Sequence, residues 1–505
     1  MNTKDSKTYG SGTGDIENGH SINGSKKDGD DRSGSPFSDG SASSASSAKE
    51  FPSAPSTQRG EEEEQPLSGR RRRLAFLVEM VLIFALYLPF ALLAPFYPPK
   101  AKDKGLSPFQ VGLLLALFAG VASLFSILIG QFLSHIGPKF AFVAGAFLVG
   151  GSSILMAPQV QLTSEVEFFW FTLATLFVWA IGHAAANTSC TAMISYNFPG
   201  NEAILFGIME SFIGLGFLLG GPIGSGFYRV GGYSLPFYVF GGFLVLLVVL
   251  NFFTVPSYNA RPREKTSVLE LLRIPSVWTT CLALTITFGI LGIITVGLAV
   301  HLTDTFEVKD AYAGFFWVLS GVFKTVSSTL IGTLTNKLVE TNSAAARLIL
   351  IVGQILGCIT LLFIGPSQTL HLPDKLALVC IGLALEGIVK SCVIVPSLVD
   401  VTVTARWSGL PDNFATQSII AGLFWGAFSF GTFLGPLIGG ALIHQFGFSG
   451  ACNVGAVVFL IMGAILSIYL AWEYRCGRGR REAYRLFAIS GSDELNDEVP
   501  LVATK

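Results

Sequence analysis

Charge is what this sequence has least of. Asp, Glu, Lys and Arg make up 13% of the chain, about half of the roughly 25% usual in soluble domains, while hydrophobic residues reach 51% and include 42 phenylalanines. That shortage excludes an ordinary soluble fold and defines a membrane protein. A formal net charge of -1 gives no footing for nucleic acid or an acidic partner, so the information lies in where each charge sits. Paired cysteines are lacking as well. The chain has seven cysteines without a CxxC, and Cys190, Cys281, Cys358, Cys380 and Cys392 fall inside apolar runs, as small packing residues do. No nucleophile–base pair, metal-ligand cluster or phosphate loop stands on a soluble segment, so no enzyme activity, metal or cofactor is expected. An opening apolar stretch with a small-residue cleavage site is also missing, and the first spanning helix is expected to direct insertion itself.

What is present is a series of long apolar runs between polar tails. Residues 1–73 are rich in Ser, Gly, Asp and Lys, carry EEEE at Glu61 to Glu64 and end in RRRR at Arg70 to Arg73; such a segment buries no core and reads as a disordered tail. A crossing helix needs about 20 apolar residues. On that scale twelve spans are expected: Leu74–Phe96, Phe109–Leu133, Phe140–Ala157, Phe168–Ile194, Ala203–Phe227, Leu235–Phe253, Val277–Leu302, Ala311–Leu334, Ala344–Ile364, Leu376–Val399, Ser418–Ile443 and Ala451–Trp472. They divide into two six-helix bundles, 74–253 and 277–472, joined by a loop at 254–276 and followed by a tail at 473–505. Arg70–Arg73, the central Arg261, Arg263, Lys265 and Arg273, and the tail's Arg475, Arg478, Arg480, Arg481 and Arg485 then share one side. By the positive-inside rule both termini are cytoplasmic, with Lys100, Lys102 and Lys104 opposing the trend.

One pattern is written twice. GFLLGGPIGSG (Gly216–Gly226) and GTFLGPLIGG (Gly431–Gly440) place Gly216, Gly220 and Gly224 at 215 residues before Gly431, Gly435 and Gly439, while Pro222 and Pro436 stand 214 apart. A second echo, VGLLLALFAGVASLFSILIG (Val111–Gly130) against AGFFWVLSGVFKTVSSTLIG (Ala313–Gly332), has an offset of 202. The pairs fall in spans five and eleven, and in spans two and eight. Glycines four apart let backbones approach closely and proline bends a helix, so these stretches, with Gly440, read either as the contact about which two halves pivot or as plain tight helix packing.

GxxxGPxxGG is the signature of proton-coupled antiporters of the major facilitator superfamily, met fully by GTFLGPLIGG and with one inserted residue by GFLLGGPIGSG. APFYPPKAKDKGLS after span one, SHIGPKFAFVAG between spans two and three, MESFIGLGFLLG in span five and GGYSLPFYVFGG after it resemble the vesicular amine transporters, most closely their polyamine transporter-like branch. The likeness runs over roughly Leu74 to Trp472. It implies an all-α integral membrane protein of the major facilitator fold, exchanging protons for a small organic cation across an acidic organelle's membrane by alternating access. The chain departs from the family pattern at Ser134 and His135, at Asn336 and Lys337, at Phe177 in span four, at Leu86 in span one and at Thr295 in span seven.

A charge at mid-membrane is costly, so each one is a functional candidate. His183 and Asn187 stand four apart in span four beside Thr188, Ser189 and Thr191; His183 suits a proton relay, or else donates a hydrogen bond to a neighbouring helix. Glu210 opens span five and Asp400 closes span ten, and both match acids in the polyamine-like branch. Glu210 either takes a cation or proton or favours the helix dipole; Asp400 either does the same or faces solvent. Glu386 and Lys390 have the spacing of an intrahelical ion pair. Lys324, alone in span eight, needs a partner from another helix, with Glu386 and Glu210 as candidates; left free, it would suit an anionic substrate. Glu79 reads as interfacial, and Tyr87 and Trp317 are weak candidates for holding an ammonium.

The tail's YRLF (Tyr484–Phe487) has the shape of a tyrosine-based sorting signal, and DEVPLV (Asp497–Val502) resembles an acidic dileucine signal. They favour a secretory-vesicle or endolysosomal membrane over the plasma membrane, with sorting adaptors as partners beside the substrate, protons and lipid. The competing readings are a proton-coupled carrier of organic anions such as monocarboxylates, and a substrate-free scaffold or sensor.

Overall fold

The computed structural model describes residues 69–254, 267–308, 310–366 and 373–475. Both sorting motifs, nearly all of the N-terminal tail and most of the central loop lie outside the described residues. The elements are helical: α1 (Gly69–Asp103), α2 (Pro108–Ile136), α3 (Pro138–Met156), α4 (Glu165–Asn197), α5 (Glu202–Gly231), α6 (Ser234–Thr254), a short α7 (Val268–Leu272), α8 (Pro275–Phe306), α9 (Asp310–Thr341), α10 (Ala345–Ile364), α11 (Leu376–Trp407) and α12 (Phe414–Arg475). Local chemistry sets several ends. Ser107 and Gln110 cap α2 reciprocally, each side chain accepting from the other's backbone N–H, with Pro108 at the first turn. Gly137, at φ 92°, ends α2, and Pro138 starts α3 at once.

Among the described residues ten helical stretches are long and apolar enough to cross a membrane. The difference from twelve has two sources. In α9, Lys324 and a run of hydroxyl residues lower the hydropathy of a helix that has ample length at 32 residues. The last stretch is double: α12 has 62 residues, about 93 Å at 1.5 Å per residue and some three times the hydrocarbon core. It turns at Gly447, whose φ of 69° and ψ of 175° are not helical.

Ring and ion contacts gather particular helix ends on one face. Phe76 of α1 packs on Phe198 after α4, and Tyr196 of α4 on Phe414 of α12, with ring centroids 5.8 and 5.5 Å apart. Glu202 at the start of α5 pairs with Arg406 near the end of α11, and Arg347 of α10 with Glu473 near the end of α12. This is the face on which α1 begins and α12 ends, called here the terminal face.

The repeated glycines pack differently from the pivot expected of them. Gly216, Gly220 and Gly224 lie against α1 at Phe84, Leu88 and Leu92, while Gly431, Gly435 and Gly439 lie against α8 at Thr285, Gly292 and Ile293. Both stripes therefore join helices of the same half of the chain. The helices run through Pro222 and Pro436 without a break, Pro222 is exposed, and Gly440 meets nothing within 4 Å. Other glycines join the halves. A methyl group at Gly130 of α2 would sit 2.7 Å from the Gly422 Cα of α12, and one at Gly207 of α5 would sit 3.1 Å from the Gly332 Cα of α9. These four obey the same arithmetic as the sequence echoes, since Gly130 and Gly332 are 202 apart and Gly207 and Gly422 are 215 apart. Sequence spacing located the repeat but not the helix that each glycine faces.

Valine at Gly130 or Gly207 is expected to force the backbones apart at about 1–3 kcal/mol, seen as a drop of several degrees in the thermal midpoint of detergent-purified protein. Valine at Gly221, where nothing lies within 4 Å, should leave the midpoint unchanged.

Candidate functional site

The polar contacts between residues 69–254 and 267–475 define where a site can be. From α2 to α12, the Ser123 hydroxyl donates to the Gly426 carbonyl at 2.8 Å. From α5 to α9, the Ser211 hydroxyl donates to the Thr325 carbonyl at 2.6 Å and meets Thr329 Oγ1 at 2.8 Å. Trp425 Nε1 of α12 donates to Thr191 Oγ1 of α4 at 2.8 Å. At the centre of this seam, Lys324 Nζ of α9 lies 2.9 Å from Glu210 Oε2 of α5 and donates to the Glu210 backbone carbonyl at 3.2 Å. Among the described residues these contacts lie at mid-depth or toward the terminal face, where Tyr196–Phe414, Phe206–Phe424 and Glu202–Arg406 complete the closure.

Glu210 lies two turns inside α5, because the helix begins at Glu202. The dipole role read for it at a helix opening therefore does not apply. Lys324 is not free either, and of its two candidate partners it takes Glu210. The buried carboxylate is incompletely satisfied. Glu210 is 2% exposed, and its Oε1 has no hydrogen-bond partner.

A second ion pair borders α9 on the other side. Glu386 and Lys390 of α11 are paired along their helix, the Ser320 hydroxyl of α9 donates to Glu386, and the Lys390 ammonium stands 5.8 Å from the centre of the Trp317 ring. Gly387 lets the two backbones meet, since a methyl there would lie 2.7 Å from the Lys324 backbone nitrogen.

His183 and Asn187 form a third group within the N-terminal half. Tyr87 Oη of α1 donates to Asn187 Oδ1 at 3.0 Å, and Asn187 Nδ2 donates to the His183 carbonyl one turn back at 2.9 Å. The His183 ring lies among Tyr87, Phe90 and Phe118 at 5.2, 5.7 and 5.7 Å, with Nε2 buried and unpartnered. The hydrogen bond to another helix is thus made by Asn187 and not by histidine.

Asp400 belongs elsewhere. The helix continues seven residues past it to Trp407, so it is fully buried instead of facing solvent. Its Oδ2 accepts from Arg347 Nη2 at 2.8 Å and from the Thr280 hydroxyl. Arg347, also fully buried, holds Ser276 Oγ at 2.7 Å and Glu473 Oε2 at 3.3 Å, and lies over the Tyr469 ring. Arg347 was not singled out from the sequence because it stands fourth in its apolar run, where long basic side chains ordinarily reach the interface. An arginine inside a span was the available signal. Glu79 was read as interfacial, yet it is 4% exposed; α1 begins at Gly69, which carries position 79 nearly three turns in. A cavity of about 610 Å³ between α3 and α6 has a mostly apolar lining that includes Lys139, and lies away from all four polar groups.

Paired helix stripes within each half, a polar seam between the halves and charges held at mid-depth are the anatomy of a secondary transporter. The chain belongs to the Major Facilitator Superfamily, whose family model matches residues 80–410, and it is a multi-pass membrane transporter, not an enzyme. Similar curated proteins are the MFS-type transporter SLC18B1 of Mus musculus, 28% identical over 78% of this chain and 86% of the relative, and that of Homo sapiens, 29% identical over 76% and 83%. The crystal structure of the human organic anion transporter MFSD10 (TETRAN) aligns with a TM-score of 0.63 over 79% of this chain and all of that one; at 17% identity the likeness is one of fold.

Arg347→Ala would leave Asp400 and Glu473 buried without their cation, at about 3–5 kcal/mol. The expected result is loss of the monodisperse species on size exclusion, with Arg347→Lys intermediate. Arg406→Gln should loosen the terminal face. A cysteine placed at Val399, which lines a small void with Glu202 and Arg406, should then react several-fold faster with a membrane-impermeant maleimide.

Proposed function

We propose that the chain is a proton-coupled exchanger that loads small organic cations, polyamine or monoamine, into an acidic compartment. In this reading residues 74–253 and 277–472 form two six-helix bundles that rock about the Gly130–Gly422 and Gly207–Gly332 contacts. Both termini are cytoplasmic, the membrane is that of a secretory vesicle or endolysosome, and the tail motif Tyr484–Phe487 engages sorting adaptors.

The observation that carries the reading is Glu210. It is a buried carboxylate on the seam between the halves, with one oxygen on Lys324 and the other without a partner. A carboxylate accepts hydrogen bonds and donates none unless it is protonated, so this oxygen is suited to take up a proton or to accept from an ammonium. A single acid that takes these in turn gives exchange. The GxxxGPxxGG signature and the likeness to vesicular amine transporters support the same reading. His183, with its free Nε2 in an aromatic surround, suits a relay that delivers the proton. Carriage of an organic anion would call for an unpaired Lys324, but that ammonium is already held by Glu210. A scaffold or sensor would have no use for a titratable seam.

The test is uptake of radiolabelled spermidine, serotonin and lactate into proteoliposomes with an acidic lumen. Spermidine or serotonin should accumulate only while the gradient holds, and Glu210→Gln should abolish uptake. His183→Ala should slow it. Lactate movement without amine movement overturns the proposal, as does amine uptake that survives Glu210→Gln.

A further inference from the structure

Lys324 and Glu210 are more than a structural ion pair, because the geometry around them is lopsided. The ammonium uses two acceptors of one residue, Oε2 at 2.9 Å and the backbone carbonyl at 3.2 Å. Gly214, one turn beyond Glu210 on α5, keeps that approach open; a methyl there would lie 3.3 Å from the Thr325 Cα of α9. The result is a carboxylate and a carbonyl converging on one position shaped for an N–H donor of positive charge.

Access to that position is ordered. The lysine side chain is 13% exposed while the glutamate is 2% exposed, so of the two it is the lysine that solvent reaches. A cation arriving from the exposed side of this pair meets Lys324 before it meets Glu210. A second acid, Glu386, lies on the helix packed against the lysine's backbone. Ser320, one turn before Lys324 on α9, holds Glu386 through its hydroxyl, and Gly387 brings the backbone of α11 against Lys324 itself. Glu386 is thus an acid on the lysine's own half of the chain, with Lys390 already beside it.

We propose that the Lys324 ammonium is a tethered occupant of the cargo-cation position on Glu210, which an incoming primary ammonium displaces. This rests on the organic-cation reading above and adds a competition to it. Two consequences follow from the chemistry. Apparent cargo affinity is lowered by the fraction of time Lys324 holds the site. The exchange also replaces a cation tethered to the C-terminal half by a free one, so cargo binding unties the central ion pair between the halves.

The experiment uses the full chain in proteoliposomes, with labelled spermidine as the transported probe. Lys324→Gln removes the competitor and should lower the half-saturation concentration, by about ten-fold if Lys324 occupies nine-tenths of sites. Lys324→Arg substitutes a guanidinium that grips a carboxylate with two bonds, and should raise it several-fold while keeping the fold. A merely structural pair predicts weaker binding or none for both variants. A second readout needs no transport. Butylamine should raise the thermal midpoint of detergent-purified Lys324→Ala, and should not raise that of the Lys324→Ala, Glu210→Gln double variant.

An unchanged or raised half-saturation in Lys324→Gln overturns the proposal, and so does equal stabilisation of the single and double variants by butylamine. Should Lys324→Ala fail to fold, the opposed shifts of the Gln and Arg variants decide. Butylamine rescue without amine uptake by the wild-type chain would sink the transport reading and leave this site standing. Uptake without rescue would do the reverse.

Discussion

A carboxylate moved from water into a bilayer must be neutralised, paired or expelled, because its hydration is worth far more than any single contact inside. The arrangement of this chain follows from that constraint. Both ion pairs between its halves, among the described residues, put the acid on α5 and the base opposite: Glu210 with Lys324 on α9, and Glu202 with Arg406 on α11. Each base also has an acid on its own side of the seam: Arg406 pairs with Asp412 at 2.9 Å as well, and Lys324 lies one turn from the residue holding Glu386. The halves are therefore cross-linked by charge at two levels, one at mid-depth and one at the terminal face. A transporter has to break and remake such links within a cycle. Dispersed pairs suit that work better than one densely bonded cluster.

The most densely bonded cluster lies elsewhere. Arg347, Asp400, Glu473, Ser276 and Thr280 are all buried within the C-terminal half and tie α8, α10, α11 and α12 together near their terminal-face ends. Arginine's planar fork can serve two acids at once, which a lysine at that position would not do as well. Fixed charges inside one half and exchangeable charges between halves are a division of labour that burial alone would not distinguish. The partner list does.

Much of this was legible in the sequence, though unevenly. Composition gave the membrane, and the offsets of 202 and 215 residues gave two related halves, because periodic glycines survive as pattern. Helix periodicity does not say which neighbour a glycine meets, and the GxxxGPxxGG stripes proved to face α1 and α8 instead of the opposite half. Lys324 could be recognised as needing a partner, and Glu210 was one of two named. Helix ends were the weakest point. Glu79, Glu210, Asp400 and Arg347 all stand near the ends of apolar runs, where the same letter means an interfacial charge or a buried one depending on how far the helix extends beyond the hydrophobic stretch. At Glu79 and Asp400 the helix runs well past the hydrophobic stretch, α1 beginning at Gly69 and α11 ending at Trp407; at Glu210 and Arg347 the helix start was as expected, and it is packing by neighbouring helices that encloses the charge.

The contacts at Gly130–Gly422 and Gly207–Gly332 bring backbone against backbone, with no side chain between. Side chains change rotamer on the nanosecond scale and open transient gaps as they do; two apposed helix backbones have no such freedom. A seam made this way is electrically quiet. At these two contacts no side-chain gap opens for water to thread. The absence of a β-carbon at four positions thus acts there as local insulation.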